Sequence, residues 1–231
     1  MRVGLIVEGK SDAAVITNIL KGKLNISKSD VQYLSPELDY DETSLHEMSI
    51  EQFSNWTIVK ANCQNREKFE KFFEFDDNSF IVIHIDSDVR NEVGYDIKLP
   101  ATTTRMEDLE ALRNNIVNKV AEWLDNNYLG KVVFAIAIEE IDAWVLTLYS
   151  KNNNETGFIQ KPKEKLFKLL NSPNLLSNKL KQEIFSLHED KLSQYYLLST
   201  NFRKKKLLQS ASSKNHSLLK FCEELEKFGE E

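Results

Sequence analysis

Three short acidic signatures dominate the first 145 residues. Glu8 closes an apolar run and is followed by Gly9, with Asp12 four residues further on. Asp86 and Asp88 flank Ser87 at the end of the run Phe80-Ile-Val-Ile-His-Ile85. Glu139 and Glu140, with Asp142 close behind, follow a third apolar run at 132–138. Carboxylates grouped together repel one another and require a countercharge. Hard oxygen ligands without His or Cys favour Mg²⁺ or Mn²⁺ over zinc. An ion held by Asp86 and Asp88 would stabilise charge on a transferring phosphoryl group, and two ions about 4 Å apart would serve both the attacking water and the leaving oxygen. Glu8 would complete the metal shell or move a proton at the reacting oxygen. One acid at a strand end is commonplace as a cap, but three that converge on one edge call for a shared role.

Convergence depends on the elements that carry these acids. Apolar, β-forming runs at 2–7, 80–85 and 131–138 predict strands, and near-continuous apolar character suits strands buried on both faces. Helical periodicity appears at 11–20, capped by Ser11 or Asp12, and at 66–73 with Phe69, Phe72 and Phe73 inward. A long amphipathic helix runs over about 106–126, with Leu109, Leu112, Ile116, Val120 and Leu124 on one face. A further strand is expected at 56–61, loop at 89–104, and a helix at 141–149. Residues 25–55, polar apart from a weak strand at 31–34, read as an insertion or lid. Strands alternating with helices indicate βαβ units and a mainly parallel, Rossmann-like sheet flanked by helices. In such sheets ligands bind outside the carboxyl ends of the strands, which is where all three signatures fall. Beyond a composition shift near residue 152 the pattern is purely helical. The organisation expected is therefore a catalytic α/β domain at 1–150 and a helical, basic extension at 151–231.

Composition narrows the classes. The chain has 231 residues, 41% hydrophobic and 29% charged, with 7 Gly and 4 Pro. Collagen-like and disordered chains are thereby excluded. Seven residues make up the apolar run at 132–138, against the roughly 20 a membrane helix needs. Cys63 and Cys222 stand apart without a metal-ligand spacing, so a disulfide scaffold and a zinc ribbon are not expected. A cytoplasmic location with no membrane partner fits this usage. The net charge is -6, but residues 151–231 carry 15 Lys and Arg against 10 Asp and Glu, leaving 15 against 26 in residues 1–150. An acidic site beside a basic tail suits a nucleic-acid partner. The densest basic run, Arg203, Lys204, Lys205 and Lys206, would contact phosphates, as would Lys10 beside Glu8.

Two other signals mislead. Gly4 to Ser11 satisfies the phosphate-loop pattern GxxxxGK[ST], yet the segment that should be a polar loop is Leu5-Ile6-Val7, and Glu8 would face nucleotide phosphates. It is a false match. His84 reads as a satisfied core histidine, turned by strand alternation away from the side of Asp86.

The strings LIVEGKSD and IVIHIDSD, in that order, resemble the Toprim domain of topoisomerases, primases and overcoming-lysogenization-defect (OLD) nucleases, over about residues 1–145. The resemblance implies a Toprim-like sheet in which Glu8 is the acid/base or metal-shell glutamate and Asp86 and Asp88 bind metal. Asp12 matches the extra acid of OLD-type nucleases. AIEEIDAW at 137–144 is similar to a segment of small Toprim proteins of phage defence, which would add Glu139 and Asp142 to the metal set. A topoisomerase needs a further domain with a nucleophilic tyrosine, and an OLD nuclease an ATPase domain. The expectation is thus a stand-alone, Mg²⁺- or Mn²⁺-dependent nuclease acting on DNA or RNA, with an antiviral role, a homodimeric state and a separately encoded ATPase as further implications. A non-catalytic Toprim-like module and a primase-type nucleotidyl transferase remain open alternatives.

Overall fold

The computed structural model describes residues 1–35, 56–74, 78–98, 100, 104–151, 154–173 and 175–229. Among the described residues four strands, β1 (Val3–Ile6), β2 (Val31–Ser35), β3 (Phe80–Asp86) and β4 (Val132–Ala137), form one sheet in the order β2-β1-β3-β4. Every pairing is parallel, with Val3 opposite Val31 and Phe80, and Ile81 opposite Val132. Helices are α1 (Lys10–Leu24), α2 (Trp56–Gln64), α3 (Arg66–Phe73), α4 (Met106–Trp123) and α5 (Asp142–Tyr149), then α6 (Pro162–Leu170), α7 (Asn178–Ser186), α8 (Lys191–Leu198), α9 (Lys205–Ser212) and α10 (His216–Glu226). The result is a Rossmann-like α/β fold.

Strand alternation sorts the core into two halves. Leu5, Val7, Phe80, Val82, Val133 and Ala135 face a cluster shared with α1, α5 and the helices beyond residue 160. Ile6, Ile81, Ile83, Ile85, Phe134 and Ile136 face α2, α3 and α4. The apolar runs are continuous because both faces are covered. The helices beyond the composition shift at 152 share their core cluster with the sheet. The β4 edge is blunted by Glu224 of α10, whose Oε2 accepts from the Phe134 backbone N–H at 3.0 Å and whose Oε1 pairs with Arg113. A carboxylate on a strand's free donors prevents further pairing there.

Several elements differ from expectation. Residues 56–64 form a helix, not a strand: Trp56, Val59 and Cys63 are buried at helical spacing. Trp56 stacks on Tyr95 at 5.1 Å and on Trp123 at 6.0 Å, so tertiary packing overrides the β preference of Trp-Thr-Ile-Val. Residues 31–35 are the sheet's edge strand rather than part of an insertion, and 36–55 lie outside the described residues. Helix α1 begins at Gly9, which is its N-cap without a side-chain cap bond, and not at Ser11 or Asp12. Asp12 lies in the first turn, buried, and is committed to the site described below.

Helix α1 joins that site to the C-terminal helices through one close approach. A Cβ at Gly22 would overlap the backbone carbonyl oxygen of Phe202. Neither backbone can yield without moving an element, so Gly22→Ala is expected to cost about 2 kcal/mol or more, measured as a lower urea midpoint at unchanged slope.

Candidate metal centre

The strand order reverses direction between β1 and β3, so the loops leaving these strands part and open a crevice at their carboxyl ends. Glu8 leaves β1 and Asp86 ends β3 at this point. The Asp86 backbone N–H donates to Glu8 Oε2 at 2.9 Å, fixing the two strand ends together. His84, two residues before Asp86, is on the same side of β3, because residues two apart share a strand face. Its Nε2 is 3.3 Å from Asp86 Oδ1 and its Nδ1 4.0 Å from Asp12 Oδ2. The expectation that alternation turns it away was a parity error, and this residue belongs to the site. Glu8, His84 and Asp86 each offer a ligand atom within 4.8 Å of the others.

Burial and mutual repulsion strain the protonation of this group. Glu8 is only 8% exposed, and its carboxyl is raised well above the ordinary range by burial and by Asp86 and Asp12. Asp86 is raised by burial and by the Asp12, Asp88, Asp142 and Glu140 charges. Asp12 is raised by burial and by Asp142, against the influence of His84. Burial lowers His84 from the usual imidazole range, opposed by Asp12 and Asp88. A neutral imidazole therefore gives the clustered carboxylates no countercharge of its own. Among the described residues Asp86 Oδ1 and both His84 nitrogens have no hydrogen-bond partner; the 3.3 Å contact between Asp86 Oδ1 and His84 Nε2 is not aligned as a bond. Buried polar atoms are rarely left so. This donor set fits a divalent cation, with Glu8, His84 and Asp86 to hold it.

The remaining expected site residues divide. Asp88 stands exposed at the crevice, beyond that ligand group. Asp142 is buried at the start of α5, accepts from Tyr195 Oη at 2.7 Å, and is pushed up to about 6 by burial, against that bond and Lys163. Glu139 instead pairs with Arg90, Oε1 to guanidinium 2.8 Å. Its backbone is left-handed at φ 63°, and its N–H donates to Ser87 Oγ at 2.8 Å. The Ser87 and Asp88 N–H groups donate back to the Glu139 carbonyl. Glu139 and Ser87 thus clip β3 to β4 and do not join the ligand group. Lys10 begins α1, and against a burial cost the Ser193 hydrogen bonds and the Lys10 charge hold Asp190 below its ordinary value.

The basic run is not at the site. Arg203 donates through Nε to Asn18 Oδ1 at 2.7 Å and lies over the Tyr196 ring, beside the second half of α1. That half runs back toward the amino edge of the sheet, so the contact at Gly22 is about 18 Å along α1 from Lys10 at 1.5 Å per residue. Lys204, Lys205 and Lys206 follow there, exposed. Other cations supply positive charge near the carboxylates. Lys163 faces Asp142, and half-buried Lys191 is lowered by burial and Lys163 against the pull of Asp142.

Four contributors escaped the sequence reading: Tyr195, Lys163 and Lys191 from the C-terminal helices, and Tyr95. The Tyr95 hydroxyl is buried, has no hydrogen-bond partner among the described residues and is raised by burial and by Glu8, Asp86 and Asp88. No spacing in the sequence links these residues to the acids. His84 was findable, since its parity with Asp86 is written in the strand. Neither thiol contributes nucleophilic chemistry, because burial pushes Cys63 and Cys222 up to about 12.

Tyr195→Phe tests the C-terminal contribution. The lost bond is to the charged carboxylate, so the destabilisation of about 1–3 kcal/mol is expected to be larger at pH 8 than at pH 5 by denaturant unfolding.

Comparison of the chain with protein-family models, curated proteins and solved structures finds no match. Among the described residues no helix is long and apolar enough to cross a membrane.

Proposed function

We propose that the chain is a divalent-metal-dependent nuclease of Toprim type that hydrolyses phosphodiester bonds in DNA or RNA. The observation that carries this reading is the group formed by Glu8, His84 and Asp86 at the carboxyl ends of β1 and β3, with unpartnered donor atoms on His84 and Asp86. A divalent ion bound there would neutralise charge developing on the phosphoryl oxygens and lower the pKa of a bound water. Glu8, raised and buried, is suited to hold or release a proton at the attacking or leaving oxygen. Exposed Asp88, at the mouth, would position a substrate-side water or ion. Asp12 and Asp142 hold the negative field behind the ligands. Lys163 and Lys191 offer positive charge for substrate phosphates on the same side.

The test is cleavage of plasmid, single-stranded DNA and total tRNA with Mg²⁺, Mn²⁺ or EDTA, comparing wild type with Glu8→Gln and Asp88→Asn. Metal-dependent cutting that falls in both variants supports the reading and identifies the substrate. Nucleotide incorporation on a primed template would favour a transferase. Absence of cutting together with absence of any metal-induced rise in Tm would sink the enzymatic reading in favour of a binding module.

A further inference from the structure

The identity of the ion can be argued from His84. This step rests on the reading that the carboxylates at the β1 and β3 ends hold a divalent cation. We propose that the ion is a first-row transition metal bound through the His84 imidazole, with Mn²⁺ taken in preference to Mg²⁺.

His84 is 0% exposed, and among the described residues neither ring nitrogen has a hydrogen-bond partner. A histidine kept in a core for packing alone would leave an N–H and a lone pair unmade, at a cost of about 1–3 kcal/mol each. A structural histidine finds a carbonyl or hydroxyl, yet the two nitrogens of this ring face the Asp12 and Asp86 carboxylates. Nε2 faces Asp86 Oδ1, itself unpartnered, at 3.3 Å, and with Glu8 the ligand atoms all lie within 4.8 Å. Ligand atoms around one ion at about 2.0–2.2 Å are separated by roughly 3–4 Å. Closing the group onto an ion therefore needs shifts of only a few tenths of an ångström to about 1 Å.

The surroundings also orient the ring. Asp12 Oδ2 lies behind it, 4.0 Å from Nδ1. A carboxylate on that side favours the tautomer with its proton on Nδ1 and the lone pair on Nε2, directed at Glu8 and Asp86. The Trp144 ring meets His84 edge-on at 6.1 Å and restricts its rotation. Asp12 thereby becomes a positioning residue, acting through His84 rather than binding the ion.

Selectivity follows from donor type. Mg²⁺ prefers oxygen ligands and retains its water, whereas affinity for a mixed nitrogen and oxygen set rises along the first transition row. With oxygen donors only, as in the DxD pattern alone, the preference would be weaker.

Two measurements on the full chain decide the matter. In electron spin echo spectra of the Mn²⁺-loaded wild type, ¹⁴N modulation from a directly bound nitrogen is expected, and it disappears in His84→Asn. In thermal titrations Mn²⁺ is expected to half-saturate at about tenfold lower concentration than Mg²⁺, and His84→Asn to bring the two within about twofold. Mn²⁺ bound without ¹⁴N modulation overturns the role of His84 and leaves the metal-dependent nuclease reading standing. No Tm shift and no bound signal with either ion overturns both. Should His84→Asn fail to fold, the wild-type spectrum still decides.

Discussion

Asp86→Asn is expected to reduce metal-dependent cleavage by about 10²–10³-fold while raising the Tm of the metal-free protein. The two effects share one cause. Asp86 is held among the charges of Asp12, Asp88, Asp142 and Glu140, so neutralising it relieves repulsion. Its Oδ1 has no hydrogen bond to lose among the described residues, and the backbone bond from its N–H to Glu8 survives the substitution. An amide of equal size leaves the packing unchanged. A gain of about 1–2 kcal/mol would raise Tm by roughly 2–8 °C in a chain of this length. Differential scanning calorimetry in EDTA, beside the cleavage assay, reads both effects. A variant that loses activity and stability together would show that Asp86 is structural. The opposite changes would show that it is kept at a cost to the fold for what it binds.

Stability of the metal-free protein is expected to fall as pH rises from 5 to 8, and saturating Mn²⁺ to abolish or reverse that slope. Asp142 is raised from 3.8 to about 6, and Glu8, Asp12 and Asp86 are raised as well. A carboxyl raised in the folded state binds more protons there than in the unfolded chain. Its contribution is therefore fully present below its ordinary value near 4 and is lost as pH rises through the folded value. For Asp142 that loss is on the order of 3 kcal/mol between about pH 4 and pH 7. A bound cation requires the ionised carboxylates, so it removes the penalty and makes binding stronger with rising pH. Urea unfolding at pH 5, 6, 7 and 8, with EDTA and with Mn²⁺, gives the two slopes. A flat metal-free profile would mean that the carboxylates are far more solvated than their burial indicates.

The sheet and the approach of Glu8 and Asp86 were legible before any coordinates. Both depend on local pattern: continuous apolar runs, each ending in an acid, separated by helix-length segments. Parallel strands connected in this way deliver their carboxyl ends to one edge, so placing the acids required only element order. The helix at 56–64 was not legible, since Trp, Thr, Ile and Val favour strands locally and only the stacking of Trp56 against Tyr95 and Trp123 outweighs that preference. Charge density along the sequence marks the basic run but carries no direction. Gly22 docks that region on the second half of α1, away from the acids.

By itself the sequence determined the parallel α/β class and the acids at three strand ends, because hydrophobic periodicity and strand alternation are properties of neighbours along the chain. It even contained the parity that puts His84 beside Asp86. Tertiary structure alone decided which acids share a site. Glu139 pairs with Arg90 across a clip between two strands, while Asp142 is held by Tyr195, 53 residues away. Contacts across such separations depend on which helices close over the sheet, and on which buried charges find a partner once water is excluded.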